Sequence, residues 1–126
     1  MARFSGYYQD KIISHMLRGE SFEPPETLYV GLFASSPQLE EIEVGAGSYR
    51  RMAVKLTQPE GGSASNSAII TFPTALEDWG TIVAAGLFDA IKEGNLLMWT
   101  DLENPQPVND GSTFRFNVGA LQVRVN

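Results

Sequence analysis

Residues 78–99 read DWGTIVAAGLFDAIKEGNLLMW, and this stretch decides the fold. Ile82 to Phe88 carries no charge and is rich in Ile, Val, Leu and Phe. Such a run predicts a strand buried on both faces. Asp89 to Asn95 interrupts it with Lys92, Glu93, Gly94 and Asn95, where Gly94-Asn95 can supply positive φ at a turn. Leu96 to Trp99 then resumes the apolar pattern, so the stretch reads as two strands joined by a polar turn.

Working outward from this hairpin, short strand signals recur on both sides. Thr27 to Ala34, TLYVGLFA, is apolar on both faces and predicts a central or covered strand. Tyr49 to Thr57 alternates, with Met52, Val54 and Leu56 on one face and Arg51, Ala53 and Lys55 on the other. That pattern predicts a half-exposed antiparallel strand. Gln58 to Ser65 reads as a turn, Asn66 to Phe72 as a short strand, and Pro73 to Trp79 as a loop or a single helical turn. Asp101 to Asp110, with Pro105 and Pro107, reads as a connector. Thr113 to Val118 and Ala120 to Val125 alternate again, with Gly119 between them allowing a kink or bulge.

One convincing helix precedes the strands, over Ser5 to Arg18. Phe4, Tyr8, Ile12 and Met16 recur at i, i+4, and Ile13 and Leu17 widen the stripe. Ser5 fits an N-cap and Gly19 a C-terminal stop. Glu23-Pro24-Pro25-Glu26 ends the helical segment and begins an extended one. The predicted fold is therefore mainly β: an antiparallel β-sandwich, jelly-roll-like or a small barrel, of about seven strands with one N-terminal α-helix. The chain of 126 residues predicts one domain, residues 1–19 forming the amphipathic helix and 27–126 the sandwich.

Composition excludes several chemistries. Hydrophobic content of 43% and charge of 19% are those of a globular chain. There is no cysteine and a single histidine, His15, so thiolate zinc and multi-histidine sites are out. A net charge of −6 without a basic cluster argues against nucleic acid. No apolar run approaches the ~20 residues that cross a bilayer, and the N-terminus lacks a signal peptide's apolar segment. No P-loop, GxGxxG, GxSxG or HExxH pattern is present, and no cofactor is predicted.

The remaining candidates each have a plainer explanation. Glu77 or Asp78 with Asp89 or Asp101 could form a hydrolytic carboxylate pair. Among 15 acidic residues, some pairs lie close by chance. Asp101, Glu103, Asn104, Asn109 and Asp110 offer oxygen ligands, but not at EF-hand spacing. Turn formation explains them equally well. Trp79 and Trp99 could stack on a sugar or pack in the core. Surface residues suited to a protein partner are Phe4, Tyr7, Tyr8 and Ile12 on the helix, and Glu40, Glu41 and Glu43 in an acidic loop.

The ordered series TLYVGLFA (27–34), GSYRRMAVKL (47–56), SNSAIITFPTA (65–75), DWGTIVAAGLFDA (78–90), GNLLMWTDL (94–102) and PVNDGSTFRFNVGALQV (107–123) resembles a family of small tailed-bacteriophage virion proteins. Its members are labelled tail fibre or minor tail proteins. The resemblance implies a virion location and supplies no catalytic residue. It points to a non-enzymatic structural protein of the tail or tail fibre. Such a protein would bind other virion proteins, and the reading predicts a homo-oligomer. The alternatives are a capsid decoration or cement protein, a receptor-glycan-binding module with exposed Trp79 or Trp99, and a small hydrolase.

Overall fold

A computed structural model describes residues 3–34 and 43–124. Its elements in chain order are β1 (Arg3–Phe4), α1 (Gly6–Arg18), β2 (Leu28–Phe33), β3 (Met52–Val54), β4 (Ser63–Ser65), β5 (Ile70–Thr71), β6 (Gly80–Phe88), β7 (Leu96–Val108), β8 (Arg115–Phe116) and β9 (Gln122–Arg124). Over the described residues the protein is mainly β with one helix, and every strand pair is antiparallel. One sheet has the order β1-β7-β6-β2-β3; two ribbons, β4-β9 and β5-β8, complete the strands.

The core lies between the five-stranded sheet and the ribbons. Val30, Leu32, Ile82, Ala85 and Leu87 from the sheet meet Ile70, Phe72, Phe114, Phe116 and Leu121 in one buried cluster. Phe72 sits at its centre, edge-on to Phe114 and stacked with Tyr49. Each such side chain contributes about 1.5–3 kcal/mol by leaving water. Because side chains alternate along a strand, the other residues of β2 and β6 form a second cluster on the sheet's outer face: Phe33, Ala84 and Phe88 with Leu96 and Trp99 of β7. The uncharged Ile82–Phe88 run is thus buried on both faces, as its composition requires.

Gly31 and Gly86 are direct cross-strand partners on that outer face. A Cβ on Gly86 would stand 2.6 Å from Leu96 Cδ1 and 2.9 Å from Phe33; one on Gly31 would stand 2.6 Å from the Phe88 ring. The glycine pair makes room for the Phe33–Phe88 stack, whose centroids are 5.9 Å apart. Gly86→Ala is expected to lower the unfolding free energy by about 1–3 kcal/mol through overpacking, measured by urea denaturation.

Three local expectations are corrected. Residues 101–108 are not a connector but continue β7 to Val108. Proline is tolerated there because Leu102–Pro105 bulge out opposite Val83, where the register to β6 shifts. Residues 58–65 are not all turn: Gly61 and Gly62, both at positive φ, make the turn, and β4 follows on β9. In the 89–95 turn the positive φ values fall on Glu93 and Gly94, not Gly94-Asn95. The Asp89 carboxylate closes that turn by accepting from Asn95 N at 2.7 Å and Asn95 Nδ2 at 3.0 Å.

Candidate functional site

The helix forms as its caps dictate. Ser5 Oγ accepts from Tyr8 N at 3.1 Å, and Gly19 takes the left-handed conformation at φ 72°. His15 and Arg18 lie in the last turn, where positive charge complements the helix dipole. The wide apolar stripe splits in two. Tyr8 and Ile12 are half-buried, and so is Phe4, which lies in β1 rather than on the helix and packs edge-on to Tyr8. Ile13, Met16 and Leu17 face water, at 53%, 72% and 80% exposure; Tyr7, partly exposed with Lys11 over its ring, borders a cavity on the sheet side. No residue of α1 is fully buried, so the helix covers little and presents much.

Of the other residues singled out for a partner, Glu40 and Glu41 lie outside the described residues. The structure places Glu43 in a network rather than in open solvent. Its carboxylate accepts from Arg51 Nε and Nη2, both at 2.9 Å, and from the Tyr49 hydroxyl. Tyr49 Oη in turn accepts from Leu32 N at 2.9 Å. Burial, and then the bond to Glu43, push the Tyr49 phenol above its ordinary value, so it remains a protonated donor.

Arg51 is the residue that strand alternation misplaces. The pattern sets it on the outward face with Ala53 and Lys55, which are exposed; Arg51 is buried. Its Nη1 donates to Ala90 O at 2.8 Å and Glu93 O at 2.7 Å, and its guanidinium lies 3.5 Å above the Phe88 ring. One side chain thereby ties Glu43, the start of β3 and the β6–β7 turn together. A planar fork with several donors suits this multiple bonding.

The chemical candidates do not converge. Glu77 accepts from Ser48 N and Oγ, and these bonds hold its carboxyl below the usual range. Asp78 accepts from Asp110 N, and Asp89 is committed to Asn95. Among the described residues no three His, Asp or Glu side chains gather as metal ligands. Trp79 and Trp99 are only 5% and 8% exposed. Trp79 lies edge-on to Tyr49 and donates to Ser48 Oγ at 3.0 Å; Trp99 packs with Phe33 and Phe88 on the sheet's outer face. The exposure that sugar stacking demands of them is not met.

A family model described as podophage GP4 fiber I protein gp80 matches residues 3–124. No curated protein matches the chain.

Proposed function

The chain belongs to the podophage GP4 fiber I protein gp80 family, and from that premise we propose that it is a non-enzymatic component of the phage fibre that joins other virion proteins through the open face of α1. The family is one of fibre structural proteins and places the chain in the virion. The observation that carries the mode of assembly is the exposure of Ile13, Met16 and Leu17 on a single helix. Three large apolar side chains held together in water mark a surface that awaits a partner. Covering each one contributes about 1.5–3 kcal/mol, which suits reversible docking of a helix face into a groove.

The double substitution Ile13→Glu/Leu17→Glu tests this reading. Both side chains are exposed, so the stability of the isolated chain is expected to change by no more than about 0.5 kcal/mol. Incorporation into particles, followed by quantitative gel analysis of purified virions, is expected to be lost. Normal incorporation of the double variant would overturn the reading.

A further inference from the structure

The N-terminal segment is built as a unit and held to the rest of the chain by little. Within it, Phe4 lies edge-on to Tyr8 at 5.7 Å, and Tyr8 edge-on to Phe22 at 5.8 Å. His15 Nδ1 lies 2.9 Å from Glu20 O, and Arg18 pairs with Glu20. Residues 3–22 therefore form an arm whose end folds back along its own helix. Its attachment to the sheet is short. Arg3 pairs with Trp99 and Phe4 with Met98, Ser5 N donates to Leu97 O at 2.8 Å, and Arg3 lies over the Trp99 ring. The first turn of α1 does not close on the sheet. A cavity of about 410 Å³ is lined by Ser5, Gly6 and Tyr7 on one side and by Phe33, Phe88 and Arg51 on the other.

The arm joins β2 through Glu23-Pro24-Pro25-Glu26-Thr27, which contains neither helix nor strand. Two successive prolines fix their own φ and restrict the residue before each. This connector is therefore short and stiff, and such hinges favour exchange of an element between copies over a tight return. The surface that receives the arm, Leu97 to Trp99 at the margin of β7, is the same on every copy.

We propose that the arm is exchanged: residues 3–22 of one copy pair with β7 of a second copy of this chain. The exchange uses the β1 side of the arm and leaves Ile13, Met16 and Leu17 open for the other virion proteins of the reading above. Exchange preserves every arm–β7 contact, the Arg3 and Phe4 pairings and the Ser5 hydrogen bond among them. It adds contact where the two chains cross at the hinge. Five extended residues span at most roughly 17 Å, so the receiving copy lies immediately beside the donor.

The chain has no cysteine, which makes an introduced pair a clean reporter. Phe4 and Met98 are cross-strand partners, so the full-length F4C/M98C variant forms its disulfide wherever the arm docks. Disulfide-linked dimers or larger species on a non-reducing gel are expected; a cross-linked monomer alone would overturn the exchange. Met98 is buried, so a second measurement uses the unmodified chain. Labelled (¹³C) and unlabelled copies are refolded together, and isotope-filtered NOEs between the Phe4 ring and the Met98 methyl are recorded. Contacts between labelled and unlabelled copies are expected, and contacts confined to one copy would overturn the proposal. In that case the assembly role of α1 stands or falls separately, by the incorporation of Ile13→Glu/Leu17→Glu.

Discussion

Arg51→Met is expected to lower the unfolding free energy by about 3–5 kcal/mol, the cost of breaking a buried ion pair from one side. The Arg51 side chain is 9% exposed and that of its partner Glu43 23%. Removing it strands the Glu43 charge, leaves the carbonyls of Ala90 and Glu93 without their donor, and strips the cation from the Phe88 face. Methionine keeps much of the volume, so the loss reports polar contacts more than a cavity. Adding Glu43→Gln to Arg51→Met is expected to recover part of the loss, because no unpaired charge then remains. Urea titrations of the two single variants and the double variant close the cycle. A loss below about 1 kcal/mol for Arg51→Met would show that the network is decorative.

Asn66→Ala is expected to cost at least about 3 kcal/mol. Asn66 has no exposed surface. Its amide donates to Ala68 O at 2.8 Å and Asn117 O at 2.9 Å, and its Oδ1 accepts from Leu121 N at 2.9 Å. The Asn66 main chain adds two more bonds, donating to Leu121 O and accepting from Gly119 N. The side chain therefore positions the turn between β8 and β9, and alanine removes three bonds at once, leaving the buried Leu121 N–H without an acceptor. Asn66→Asp is expected to be no better, since a carboxylate would face two carbonyl oxygens with nothing to donate. The check is the midpoint of thermal unfolding together with amide exchange at Leu121, which should lose protection first in either variant.

These two residues also mark where reading the sequence runs out. The hairpin of β6 and β7, the double-faced burial of Ile82–Phe88 and both helix caps are legible because each depends on neighbours in sequence. Alternation along 49–57 correctly sets Val54 inward and Ala53 and Lys55 outward, yet it misjudges Arg51. The periodicity describes one strand and is blind to Ala90 and Glu93, which lie some forty positions further on. Asn66 sits in a Ser-Asn-Ser run that looks like a solvated strand end, and only its pairing with residues 117 and 121 makes it core. The length of β7 was hidden for a different reason. Pro105 and Pro107 argue against a strand by composition; Pro105 falls in a bulge that no local pattern announces, while Pro107 stays in register opposite Thr81.

On the candidate surface the same limit applies. The helical spacing places Phe4, Tyr8, Ile12, Ile13, Met16 and Leu17 on one broad stripe. Which part of it meets the sheet depends on how β1 seats on β7, a register of two residue pairs. Glu43 looks like its acidic neighbours in the chain, and nothing local distinguishes it until Arg51 and Tyr49 are brought against it.

The prolines of β7 have one more consequence. A bare strand margin recruits other strands and can polymerise without limit. Pro105 and Pro107 have no amide hydrogen to offer an incoming strand, and the bulge before Gln106 bends the margin out of line. A stray strand is thereby hindered from extending the sheet along this border.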